Sequence, residues 1–201
     1  MILYARTRGL GPVLATLIGT ALASWWFAEW LIDTPRFGAS ARVPVIAMAP
    51  LLSAAAIVGS LHSSSPEIEG TAARRPWLWR AGHLAIATAV YAVVLGGTVM
   101  FDPGTFGAIA MVRNILGFTG MASLASCLIG ARLAWLPVLI YGATTYLTAP
   151  RDVHGGLTAS WAWPIEQGSD PGAWYAAISI FVLGTAAGSW VGPAQGVSHD
   201  R

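Results

Sequence analysis

Lysine is missing from all 201 residues, and charge of either sign is scarce, with eleven basic residues, all arginine, and nine acids making 10% of the chain. Without lysine there can be no G-x-x-x-x-G-K-[ST] loop, whose lysine reaches nucleotide phosphates. The shortage of charge excludes an ordinary soluble domain, where about a quarter of residues are charged. A net charge of +2, with the arginines lying between apolar runs, leaves no basic patch for nucleic acid. One cysteine, Cys127, sits inside an apolar run and excludes an intrachain disulfide. Also missing are H-E-x-x-H, G-x-S-x-G and any pair of carboxylates within an apolar stretch, so no catalytic constellation stands out. The exclusive use of arginine points to a GC-rich bacterial genome.

What fills the chain instead is apolar: 55% hydrophobic residues and a mean hydropathy of +0.62. A helix needs about 20 such residues to cross a hydrocarbon layer of about 30 Å. Six stretches qualify, at 9–31, 43–61, 81–101, 107–130, 133–149 and 173–192, the fifth being the shortest. The predicted fold is an all-α integral membrane protein, one transmembrane domain over 1–201 with six transmembrane helices. Only Ala131 and Arg132 separate the fourth and fifth, which implies a tight hairpin or one kinked pair. Pro12, Pro50 and Pro137 fall inside spans, where neighbouring helices must satisfy the carbonyls they free, which favours a packed bundle. Arg6 and Arg8 before an apolar run resemble a signal peptide, but that run continues through Trp25, Trp26 and Phe27 to a full spanning length.

Arginine sets the orientation. With the N-terminus inside, the inner segments hold Arg6, Arg8, Arg74, Arg75, Arg80, Arg132 and Arg201, against Arg36, Arg42 and Arg151 outside. Both termini are therefore expected in the cytoplasm of a multi-pass cell-membrane protein. Residues 150–172, with Trp161 and Trp163, become the long outer loop, either a short re-entrant or surface helix or a plain ordered loop. In the last stretch Gly184, Gly188 and Gly192 recur every fourth position and permit close helix approach, within the bundle or in a dimer.

Ionisable groups at membrane depth are functional candidates. Arg113 with Asn114 lies near the start of the fourth span, where the arginine either snorkels outward, pairs with Asp102, Glu29 or Asp33, or binds substrate. Glu29, beside Trp25, Trp26 and Trp30, reads as interfacial. His62 and His83 near the inner boundary motivate a rival reading as a small haem or metal membrane protein, although no second intramembrane pair exists.

The densest charge is in SSPEIEGTAARRPWLWR, residues 64–80. Ser64 and Glu67 fit a capping box, with Pro66 in the first turn. Glu67 and Glu69 near the start and Arg74 and Arg75 near the end complement the helix dipole, and Pro76 disfavours continuation. A cytoplasmic surface helix over 65–75 follows, with Trp77 and Trp79 marking the headgroup level.

A short cytoplasmic helix between the second and third of six spans, with acids, then Gly70 and Thr71, then Pro76, resembles the coupling region of ABC-2-type transporter permeases. The sequence departs from that pattern at Ala72-Ala73-Arg74-Arg75, where the family carries a leucine-rich stretch. The family also places its longest outer loop, often with re-entrant helical pieces, between spans five and six. The resemblance implies that a separate cytoplasmic ABC ATPase grips Glu67, Glu69, Gly70, Thr71, Arg74 and Arg75. It implies that ATP and Mg are bound by that partner and no cofactor by this chain. It implies a homodimer of permeases exporting a hydrophobic or amphipathic substrate through a cavity between two copies. The alternative from the residues alone is a stand-alone membrane sensor, immunity or scaffold protein.

Overall fold

A computed structural model describes residues 10–32, 43–61, 76–100, 107–148 and 156–194. Among the described residues the chain is all helical and forms seven α-helices: α1 Leu10–Ile32, α2 Val43–Gly59, α3 Pro76–Thr98, α4 Ala108–Ile129, α5 Trp135–Thr148, α6 Gly156–Trp161 and α7 Pro171–Trp190. A 3-10 turn, Trp163–Ile165, follows α6. Segments Gly11–Ala28, Trp77–Thr98, Ala108–Ile129 and Pro171–Trp190 are long and apolar enough to cross a membrane, which marks a membrane protein. Side chains such as Leu14, Trp26, Ile86, Val93, Leu147 and Val182 remain exposed on the outside of the bundle, as lipid contact requires.

Helices stand in all six predicted stretches, with changed boundaries. α2 has 17 residues and α5 only 14, so α5 spans about 21 Å at 1.5 Å per residue, short of a hydrocarbon core. α3 starts at Pro76 and not at 81, because proline fits the first helical position, so Trp77 and Trp79 lie in its first turn. α7 likewise starts at Pro171, with Asp170 accepting a hydrogen bond from the Ala173 N–H at 2.8 Å. It ends at Trp190, which leaves Gly192 beyond the helix. Gly130, at φ 82°, stops α4, and the hairpin to α5 runs through four more residues before Trp135. The proposed helix at 65–75 lies outside the described residues, as do both termini and the loop arginines at 36, 42 and 151.

α4 is the central helix: 67% of its apolar window is buried inside the bundle, against 22% to 28% in the other three long helices. It packs on α7, α2, α3 and α5. Against α7 the backbones touch. A Cβ on Gly184 would collide with the Gly120 carbonyl oxygen, and one on Gly188 with Ser123 Oγ. The Ser123 hydroxyl instead donates to Gly184 O at 2.9 Å. Gly184 and Gly188 thus pack within the bundle. Gly192 takes no part in this contact. It adopts φ 77°, and Arg80 Nη1 lies 2.6 Å from where its Cβ would stand.

Hydroxyls inside the helices bond back to the preceding turn, as in Ser53 to Ala49 O at 2.7 Å and Thr88 to Leu84 O at 2.6 Å, so they reach no further for partners. Between helices, Tyr91 of α3 donates to Val13 O of α1 at 2.9 Å. Past α7 the chain turns back, and the Ala194 N–H joins the Gly130 N–H on Ser126 O at the end of α4.

Candidate functional site around Arg113 and Asn114

Residues 156–170 do not pass over the bundle but enter it. α6 and the 3-10 turn carry Trp163 and Pro164 inside, where Trp163 is fully buried. Its indole lies flat on Gly117 of α4, where a Cβ would strike the ring. Phe118 and Tyr141 flank it with ring centroids at 4.9 and 6.0 Å. Gly117 is nine residues into α4, so the ring reaches about 13 Å along that helix from its start. The segment is re-entrant.

Irregular backbone at such depth is tolerated only when protein surrounds it and its polar groups are satisfied. Arg113 and Asn114 do this. Arg113 is fully buried: Nη2 donates to Glu166 O at 2.8 Å, Nη1 to Gln167 O at 2.6 Å, and Nε to Asn114 Oδ1 at 3.1 Å. The planar fork of guanidinium suits three acceptors in fixed directions better than an ammonium would. Glu166 and Asp170 bring negative charge to the same place. Asn114 Nδ2 donates to Pro164 O at 2.6 Å and to Ile46 O at 3.0 Å. Two carbonyls on one nitrogen and a donor on the oxygen fix the orientation of the amide.

The Ile46 carbonyl is available for a reason written in the sequence. In a helix it would accept from the residue four positions on, which is Pro50 and has no N–H. Asn114 replaces that missing donor from a neighbouring helix. One side chain thereby joins α2, α4 and the re-entrant turn. The proline at 137 is handled locally: it falls in the first turn of α5, and Leu133 O accepts from the Leu136 N–H at 3.0 Å.

The rest of the segment is tied in similarly. The Tyr141 hydroxyl donates to Trp161 O, and Trp174 Nε1 donates to Gly168 O at 2.8 Å. Gly168 passes so close to the start of α4 that a Cβ would stand 3.1 Å from Ala110 N.

Of the predicted site residues, the structure brings Arg113 and Asn114 together at the heart of this network. Arg113 does not snorkel outward: its guanidinium turns to carbonyls of the re-entrant segment, because these provide acceptors inside the bundle. Glu29 lies on α1, its side chain outside the description, and Asp33 and Asp102 are also outside it. So are Glu67, Glu69, Gly70, Thr71, Arg74 and Arg75. Of the two inner histidines, His83 shares a 2.8 Å hydrogen bond with Ser60 Oγ, and His62 is not described. Among the described residues no group of three metal-ligating side chains occurs. Reading the sequence missed the roles of Trp163, Gly117, Glu166 and Gln167. The signal available for the first was W-A-W-P between two short polar stretches in the outer loop. Comparison with protein-family models, with curated proteins and with solved structures yields no match.

Proposed function

We propose that this chain is the membrane subunit of an ATP-binding cassette exporter of the ABC-2 permease type, moving a hydrophobic or amphipathic substrate with energy from a separate ATPase. The observation that carries this reading is the re-entrant helical segment between α5 and α7, the place where the resemblance expects one. The order of six membrane helices, with the short α2 and α5 counted as spans, supports it. So does the arginine bias, which sets both termini and residues 62–75 on the cytoplasmic side. The coupling helix at 65–75 would then offer Glu67, Glu69, Gly70, Thr71, Arg74 and Arg75 to the ATPase. Two copies of the chain would complete the pathway, and ATP and Mg would stay with the partner.

Co-purification tests the proposal. An ATPase encoded beside this chain should stay bound to the wild type and be lost on Glu69→Arg or Gly70→Trp, with the helical signal of the membrane domain unchanged. A purified oligomer that retains no ATPase sinks the proposal. That outcome favours a stand-alone sensor, immunity or scaffold role, which the Arg113–Asn114 network also supports, because both side chains are occupied in holding the bundle together.

A further inference from the structure

At the end of the bundle opposite Arg113, α3 and α7 leave a lateral groove of about 380 Å³, lined by Ala81, Phe181, Val182, Thr185 and Ala186 and closed at its mouth by Trp77 and Trp190. The two indoles stand with ring centroids 6.2 Å apart and are both exposed, as expected of aromatic rings at the level of lipid headgroups. Arg80, one residue before Ala81 on α3, lies against Gly192 at this mouth and is half-buried. Among the described residues it donates no hydrogen bond and meets no carboxylate. The described acids with placed side chains, Glu166 and Asp170, are at the other end with Arg113. Thr185, within the groove, has a buried hydroxyl oxygen with no hydrogen-bond partner.

We propose that this groove binds an anionic phospholipid, its phosphate on Arg80 between the two indoles and one acyl chain along α3 and α7. The apolar walls suit a hydrocarbon tail, and a guanidinium lacking a counter-charge at headgroup level suits a phosphate. A second copy of the chain fits the groove less well. A two-fold contact through this face brings Arg80 toward its own equivalent with no described carboxylate to separate them.

Native mass spectrometry of the full chain in detergent, titrated with dioleoyl phosphatidylglycerol and separately with dioleoyl phosphatidylcholine, tests the site. The wild type should retain the anionic lipid about five-fold more tightly, the size expected of one arginine at a membrane surface. Arg80→Gln should equalise the two lipids, while Arg80→Lys, which keeps the charge, should preserve the preference. Ala186→Phe, which fills the groove from an exposed position, should weaken both lipids. Glycerol 3-phosphate in excess should not displace the bound lipid, since the tail contributes; displacement would assign the site to a free phosphate and overturn the proposal. Equal retention of both lipids by the wild type, or anionic binding unchanged in Ala186→Phe, would also overturn it. The Ala186→Phe arm decides even if Arg80→Gln does not fold.

Discussion

Along α4, the half that carries Arg113 and Asn114 holds its neighbours with long polar side chains, whereas the half from Gly120 to Ser126 holds α7 with scarcely any side chain between the backbones. Both halves face the same difficulty. In lipid there is no hydrophobic drive to bring helices together, and no water to satisfy a stray carbonyl. Where the neighbour is a regular helix, its carbonyls are already bonded, and removing side chains to gain van der Waals contact is enough. Where the neighbour is the irregular turn at 163–168, or a helix interrupted by Pro50, carbonyls are left over and donors must be brought to them. The side chains follow the state of the neighbouring backbone.

The comparison can be broken most forcefully at Arg113. Arg113→Met removes the donors to Glu166 O and Gln167 O, and each buried acceptor so abandoned costs about 1–3 kcal/mol. A loss of about 3–5 kcal/mol is expected in thermal or denaturant unfolding in detergent, with new proteolytic cleavage confined to 156–170. Arg113→Lys should recover only a minor part, since a single ammonium cannot fork to three acceptors. Stability within error of the wild type would show that the re-entrant turn does not depend on this side chain.

Next in size is Gly184→Val, which forces α7 off the Gly120 carbonyl. An overpacking cost of about 3 kcal/mol is expected, at the upper end of the usual range because backbone cannot step aside. The two variants should fail differently. Gly184→Val should weaken cross-linking between cysteines placed on α4 and α7 while 156–170 stays protected, and Arg113→Met should do the reverse. Identical failure patterns would dissolve the distinction between the halves.

A smaller and more specific effect concerns Asn114 and Pro50. Asn114→Leu should destabilise by about 2 kcal/mol, because Ile46 O and Pro164 O lose their donor. In a Pro50→Ala background the helix itself can supply an N–H to Ile46 O, so the same substitution should cost about 1 kcal/mol less. Strict additivity in this double-mutant cycle would remove Asn114 from the role of substitute donor. The smallest effect is Tyr91→Phe, which deletes the bond to Val13 O and should cost about 0.6 kcal/mol, the typical worth of an interhelical hydrogen bond in a membrane.

The fold was legible in the sequence where one physical cause dominated. Apolar runs located all six long stretches, and Pro50 announced a freed carbonyl that some neighbour would have to satisfy. Helix limits were less legible, because Pro76 and Pro171 read as interruptions yet serve as first residues. Arg113 and Asn114 were legible as unusual, but their partners were not. Those partners are backbone carbonyls more than 50 residues away, and a carbonyl leaves no mark in a sequence. Gly184 and Gly188 were visible as a repeat, while Gly192, in the same repeat, answers to a turn and to Arg80 instead.

The dependence of Arg113 on residues 166 and 167 also orders the birth of the molecule. During synthesis α4 reaches the membrane before its acceptors have been made. For that interval it carries a bare guanidinium whose insertion near a helix centre is unfavourable by about 2.5–3.5 kcal/mol. Only when α5 and the re-entrant segment have left the ribosome does the charge gain its acceptors. A chain cut short after Thr148 would be left with a poorly anchored α4, a natural mark by which quality control could tell an unfinished copy from a complete one.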